Sequence, residues 1–126
     1  MMAVILIVED DFLIRELAEM TIQEFGHQTL SAGDVDDALL LLRSAQHVDV
    51  LIADISLRTA ADGGFELARQ AIKLRPKLRV LYTTGNSITD KMTALFVEGA
   101  QSLQKPYTQH QLQHSIEKLL ASLSAT

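Results

Sequence analysis

Hydrophobic and polar residues follow one another in blocks, and the blocks predict strands and helices in turn. The aliphatic runs Ala3 to Val8 and Val50 to Ala53 are too short for buried helices and are typical of parallel strands covered on both faces. Weaker apolar runs at Gln28 to Ala32, Leu78 to Thr83 and Ala100 to Leu103 predict three more strands. We therefore expect five strands in one sheet.

Segments with apolar residues at helical spacing follow these strands. The first stops at Gly26, and its expected buried residues are Ile14, Leu17, Ala18, Ile22 and Phe25. Asp34 is the expected N-cap of a second helix that runs to about Ala45. A third helix is predicted from Asp62 or Gly63 to Leu74, where the following proline ends it.

The last two helices complete the pattern. A fourth helix is predicted from Ser87 to Glu98, and its expected buried residues are Ile88, Met92, Leu95 and Phe96. The fifth opens with a capping box of Thr108 and Gln111. Regular alternation of strands and helices predicts an α/β fold with a doubly wound parallel sheet and helices on both faces. Residues 1–126 fit a single domain, and we expect no output domain among them.

Composition narrows the possible functions. Apolar residues make up 48% of the 126 residues and charged residues 21%, as in ordinary globular proteins. A net charge of −5 argues against direct binding to nucleic acid or to an anionic membrane surface. The absence of cysteine excludes disulfides and thiolate chemistry. No segment has the length and flanks of a signal peptide or a membrane span, so a cytoplasmic location is expected.

Polar residues follow four of the predicted strands, at the edge where ligands of open α/β sheets bind. They are the pair Glu9 and Asp10, then Asp54, Thr84 and Lys105. Clustered carboxylates repel one another unless a cation lies among them, and Mg²⁺ prefers oxygen ligands of this kind. A lysine and a threonine beside such an ion would hold the remaining oxygens of a phosphoryl group. The set therefore predicts a phosphoryl site with a divalent metal.

These residues, together with the Thr84-Gly85 step and the Lys105-Pro106 dipeptide, resemble the receiver domain of two-component response regulators. The resemblance spans Met2 to about Leu123 and implies a flavodoxin-like fold. It implies that Asp54 accepts a phosphoryl group from a sensor histidine kinase or a histidine phosphotransfer protein. The implied Mg²⁺ ligands, with Mn²⁺ as a substitute, are Glu9, Asp10, Asp54 and the backbone carbonyl of Ser56. Lys105, with a cis bond to Pro106, and Thr84 would contact the phosphoryl group.

The resemblance also implies how the signal leaves the site. A receiver catalyses only its own phosphorylation and dephosphorylation, so we expect a signalling protein and no conventional enzyme. Its output would be protein contact, including a phosphorylation-dependent homodimer through helix four, strand five and helix five. Two departures from the family pattern affect the surroundings of the site. The loop after Asp54 is longer than usual and has Arg58 where proline is common, and Ser102 replaces the usual aromatic residue three positions before Lys105.

Other interpretations stay open at this point. The chain is either a stand-alone receiver or one excised from a hybrid kinase or a multidomain regulator. A small aspartate-nucleophile phosphatase of the haloacid-dehalogenase kind uses similar groups, but it places two aspartates two residues apart on its first strand. A pseudo-receiver that binds partners without phosphorylation is disfavoured by the full acidic set. His110 and His114 have a zinc-compatible spacing on the fifth helix, although a solvated helix face explains them better.

Overall fold

A computed structural model describes residues 2–57 and 63–124 and shows one parallel five-stranded sheet covered by helices. The strands are β1 (Val4–Val8), β2 (Gln28–Ala32), β3 (Val50–Asp54), β4 (Arg79–Thr84) and β5 (Gln101–Gln104). The helices are α1 (Phe12–Glu24), α2 (Val35–Arg43), α3 (Gly63–Leu74), α4 (Asp90–Thr93) and α5 (Gln109–Ser124). The strand order β2-β1-β3-β4-β5 confirms the predicted doubly wound α/β fold. Predictions for Arg58 and for a helix start at Asp62 fall outside the described residues.

Alternate residues of each central strand face opposite layers, which explains the continuous apolar runs. Leu51 and Ala53 of β3 pack with buried residues of α2 and α3, such as Leu39 and Ala68. Val50 and Ile52 pack on the other face with α1 and α5. Because both faces of β3 are buried, its strand needs apolar residues throughout and reaches a polar residue only at its carboxyl end.

Local capping signals mark the starts of α2 and α5. Asp34 Oδ1 accepts from Asp37 N at the start of α2, as predicted, although α2 ends at Arg43 rather than near Ala45. Thr108 and Gln111 form the predicted capping box, in which each side chain accepts from the other's backbone N–H. These two starts can be read from the sequence because their capping bonds span only three residues.

The fourth predicted helix is wrong in length. In place of a helix from Ser87 to Glu98, the structure has a single turn, α4, followed by turns. Backbone bonds after it are of the tighter i to i−3 kind, as in Phe96 N to Thr93 O. The N–H of Val97, which an α-helix would donate to Thr93 O, is instead donated to the side chain of Tyr82. The chain therefore leaves the α-helical hydrogen-bond pattern at Leu95, and a tertiary contact accepts the N–H of Val97.

Three apolar residues predicted to be buried on helices are exposed. Leu17 of α1 is 56% exposed, and Ile88 and Leu95 beside α4 are 37% and 49% exposed. Helical periodicity placed them next to residues that do pack on the sheet, such as Ala18 and Phe96. The periodicity identifies an apolar stripe, but the width of the stripe that the sheet covers depends on how the helix lies against it.

Candidate active site

Four strand ends meet at the carboxyl edge of the sheet. The β1 end brings Glu9 and Asp10, and the β3 end brings Asp54. Their carboxylate oxygens lie within 4.8 Å of one another. Lys105 follows β5, where its backbone N bonds to Thr84 O at 2.7 Å, and its side chain reaches across the edge to Glu9 and Asp54. The residues that the sequence singles out thus share one site, although they are up to 96 positions apart.

Lys105 provides the positive charge of this site. Its Nζ donates to Glu9 Oε1 at 2.5 Å and to Asp54 Oδ2 at 3.1 Å. The Lys105 side chain is 19% exposed, and those of Glu9 and Asp54 are 6% and 7% exposed. Such a shielded ion pair is stronger than a surface pair because little water screens it.

Burial and charge act against each other on these groups. Burial raises the pKa of the Glu9 carboxyl above its ordinary value, and the hydrogen bonds from Lys105 and from the backbone of Asp11 reduce that rise. Burial alone would lower the pKa of Lys105, but its hydrogen bonds to Glu9 and Asp54 raise it overall. Lys105 is therefore an ammonium ion at neutral pH and holds negative charge beside it.

Both carboxylate oxygens of Asp54 are held in place. Oδ2 accepts from Lys105, and Oδ1 accepts from the backbone N of Ser56 at 2.9 Å. The carboxylate is therefore oriented from two sides at the end of β3. The predicted role of the Ser56 carbonyl as a metal ligand stays a prediction.

Thr84 closes the β4 side of the site. The residue is fully buried, and its Oγ1 accepts from Asn86 N at 3.1 Å. The structure extends β4 by one residue beyond its predicted end, so Thr84 is the last residue of the strand. The Lys105–Pro106 peptide bond is cis, as the resemblance implied.

Two contacts around the site were not found by the sequence analysis. The Arg15 guanidinium donates to Glu9 O at 2.6 Å and supports the backbone of the acidic pair. Gly63 has φ +46°, and a Cβ at Gly64 would lie 2.5 Å from Asp54 O. The adjacent glycines were the available signal, because a close backbone approach requires residues without side chains.

The histidine pair lies apart from this edge. The rings of His110 and His114 are exposed on α5 and stack with centroids 6.5 Å apart. Among residues 2–57 and 63–124, three potential metal ligands come together at Glu9, Asp10 and Asp54, and neither histidine belongs to that cluster. The geometry therefore favours a solvated helix face for the histidines.

Comparison with known proteins identifies this arrangement. The family model for the response regulator receiver domain matches residues 5–117. The chain belongs to the response regulator receiver domain family. Receiver domains are phosphoacceptor modules of two-component signalling, and they generally act as signalling modules rather than as enzymes. They generally bind Mg²⁺ at an acidic pocket, and here the acidic cluster is Glu9, Asp10 and Asp54.

Curated relatives of this receiver domain are longer proteins, of which only a part matches this chain. The Escherichia coli sensor histidine kinase RcsC is 30% identical over 105 residues, covering 82% of this chain and 11% of RcsC. The transcriptional regulatory protein AfsQ1 of Streptomyces coelicolor is 31% identical over 91 residues, covering 72% of this chain and 39% of AfsQ1. The receiver domain thus spans less than half the length of these curated relatives.

Solved structures share the fold over nearly the whole chain. A CheY-like receiver domain protein from Methanospirillum hungatei has a TM-score of 0.88 at 24% identity, covering 99% of this chain and 98% of its own. NtrX from Brucella abortus has a TM-score of 0.89 at 27% identity, covering 99% of this chain and 28% of NtrX. Receiver domains interact with histidine kinases or histidine phosphotransfer proteins. Within the described ranges, no helix is long and apolar enough to cross a bilayer.

Proposed function

We propose that Asp54 is the phosphoacceptor of this receiver domain. The observation that carries the proposal is the Asp54 carboxylate, held from both sides by Lys105 and the Ser56 backbone in the same cluster as Glu9 and Asp10. A carboxylate oxygen of Asp54 forms a bond to phosphorus as the bond between phosphorus and the donor histidine nitrogen breaks. The electron pair of the broken bond stays on the imidazole. This transfer needs mainly alignment and charge neutralisation, which the site offers.

The donor set fits Mg²⁺, with Mn²⁺ as a substitute. Glu9, Asp10, Asp54 and the Ser56 carbonyl would hold the ion, and all of them offer the hard oxygen atoms that it prefers. The ion would neutralise negative charge where carboxylates and phosphoryl oxygens meet. Lys105 already pairs with Glu9 and Asp54, so the metal ion and the Lys105 ammonium would together balance the negative charge of the carboxylates.

Lys105 and Thr84 would hold the transferred group. The Lys105 ammonium already contacts Asp54, so it would contact phosphoryl oxygens attached to that residue. The Thr84 hydroxyl would turn from Asn86 towards the phosphoryl group and donate a hydrogen bond. Water would later hydrolyse the acyl phosphate, so the domain catalyses only its own phosphorylation and dephosphorylation.

The proposed partners follow from this chemistry. The donor is a sensor histidine kinase or a histidine phosphotransfer protein, and the reaction takes place in the cytoplasm. Residues 1–126 act as a single receiver domain, either alone or within a longer regulator or hybrid kinase. The output is protein contact, which includes a homodimer through the α4, β5 and α5 face. Size measurements of the protein with and without beryllofluoride, a phosphoryl mimic, test the dimer directly.

Labelling with radioactive acetyl phosphate tests the phosphoacceptor. The wild type should be labelled when Mg²⁺ is present, and label should disappear when the metal is chelated. Asp54→Asn should not be labelled, whereas Asp36→Asn, on the exposed side of α2, should match the wild type. Undiminished labelling of Asp54→Asn would show that another residue accepts the phosphoryl group.

A further inference from the structure

The segment of residues 86–99 is fastened to β4 at its two ends. At its start, Asn86 N donates to the Thr84 hydroxyl at 3.1 Å. Near its end, Val97 N donates to the Tyr82 hydroxyl at 3.1 Å. Within the described residues, these two bonds are the hydrogen bonds that join the segment to β4. Both acceptors lie two residues apart on one strand and therefore on the same face of the sheet.

Tyr82 is buried in the core among aromatic rings. It is fully buried, and its ring stacks on Phe96 with centroids 4.5 Å apart and contacts Phe65 at 5.5 Å. Phe65 belongs to α3, so the three rings connect α3, β4 and the segment. Such ring pairs add to the stabilisation that burial provides. The end of the segment at Phe96 and Val97 is therefore held by both a ring contact and a hydrogen bond.

The opposite residue on β5 is small. Tyr82 pairs in register with Ser102, so both side chains lie on the same face of the sheet. Of these two paired residues, it is therefore the one on β4, the strand of Thr84, that carries an aromatic ring. Tyr82 and Thr84 thus lie on one strand, and each accepts a hydrogen bond from the same segment.

The two ends of the segment differ in how firmly they are attached to β4. Asn86 is exposed and is held through one hydroxyl, whereas Val97 is partly buried beside stacked rings. The chain between them is only one helical turn and irregular turns, with Ile88 and Leu95 exposed. If the hydrogen bond between Asn86 N and the Thr84 hydroxyl broke, the bond at Val97 would remain. The exposed residues between the two bonds would then be free to change position.

We propose that Tyr82 is a positioning residue that holds the end of this segment, so that a change at Thr84 moves residues 86–95 while Phe96 and Val97 stay in place. The inference rests on the proposed phosphorylation of Asp54, which supplies the change at Thr84. The hydroxyl of Tyr82 accepts from the backbone N of Val97, and Tyr82 acts through that bond. The moving surface would include Ile88, Lys91 and Leu95, which are exposed and suited to contact another protein.

Amide hydrogen exchange of Tyr82→Phe tests whether Tyr82 holds this end. The variant keeps the ring and removes the hydroxyl, so Val97 N loses its acceptor. Without any phosphoryl mimic, Val97 exchange should become roughly five- to tenfold faster, the loss expected for one buried hydrogen bond. Tyr107→Phe removes the hydroxyl of a tyrosine that follows Pro106, after β5, and should leave Val97 exchange unchanged. Thr84→Val should instead speed the exchange of Asn86 and spare Val97.

Beryllofluoride with Mg²⁺ then tests the proposed movement of the segment. In the wild type it should change exchange at Asn86 and along residues 88–95 while Val97 stays protected. In Tyr82→Phe the change should extend through Val97, although acetyl phosphate should label this variant as fast as the wild type. Unchanged Val97 exchange in Tyr82→Phe, or equal loss of protection at Asn86 and Val97 in the wild type, would overturn the inference. A wild type that takes no label would instead refute the proposed function, while exchange in the unliganded variant still decides whether Tyr82 holds the end of the segment.

Discussion

Removal of the Lys105 ammonium gives the sharpest test of how the site balances its charges. Lys105→Ala leaves Glu9 and Asp54, both buried, without the cation that now lies 2.5 and 3.1 Å from their oxygens. Loss of one partner from a buried ion pair costs about 3–5 kcal/mol. The loss of Lys105 also removes a hydrogen bond that lowers the pKa of Glu9, so uptake of a proton by Glu9 sets an upper limit on that cost. That limit is about 1.4 kcal/mol for each unit by which the pH exceeds the pKa of Glu9 in the variant.

We therefore expect Lys105→Ala to lower the free energy of unfolding by about 3 kcal/mol. A domain of this size loses about 4 °C in Tm for each kcal/mol, so Tm should fall by about 12 °C. Thermal unfolding followed by circular dichroism near pH 7.5, without metal, measures the loss. Lys118→Ala on the exposed side of α5 is the matched control and should keep the wild-type Tm.

Addition of Mg²⁺ gives the second half of this test. An ion bound only by the folded state raises its stability, and it would face three carboxylates without a competing ammonium in the variant. Millimolar Mg²⁺ should therefore raise the Tm of Lys105→Ala by more than it raises that of the wild type. A Tm loss below about 4 °C would mean that the pair contributes no more than an exposed one, and the charge argument would be refuted.

Two further predictions concern the backbone and pH. Gly64→Ala should destabilise the fold by about 1–3 kcal/mol and reduce labelling of Asp54, because its Cβ would lie 2.5 Å from Asp54 O; urea unfolding should show no such loss for Gly85→Ala, where nothing lies within 4 Å. His27 Nδ1 accepts from Ala3 N at 3.0 Å, and burial lowers the pKa of His27 below the usual 6.5. The folded state then binds fewer protons than the unfolded state, so the contribution of His27 is fully present above about pH 6.5 and is lost as pH falls through the lower folded pKa. Urea midpoints should fall with decreasing pH in the wild type and less steeply in His27→Ala; equal slopes would contradict this role.

The sequence by itself determined the order of the elements and the residues at the strand ends. A strand buried on both faces must be apolar throughout, so the first polar residue after Val50 to Ala53 marks its end at Asp54. Capping bonds span three residues, so Asp34 and Thr108 could be identified locally as well. Parallel strands bring their carboxyl ends to one edge, so the sequence alone predicts that Glu9, Asp54 and Lys105 lie together.

Only the tertiary structure decided features that depend on contacts between distant residues. The pattern from Ser87 to Glu98 is helical in period, but α4 is a single turn, and the N–H of Val97 is donated to Tyr82 of another element. The bond from Arg15 to Glu9 O and the approach of Gly64 to Asp54 depend on the packing of whole elements against each other. Periodicity within a segment cannot encode such contacts, because their energy comes from partners elsewhere in the chain. The sequence thus located the chemistry of the site, and the packing decided how that site is connected to the surface.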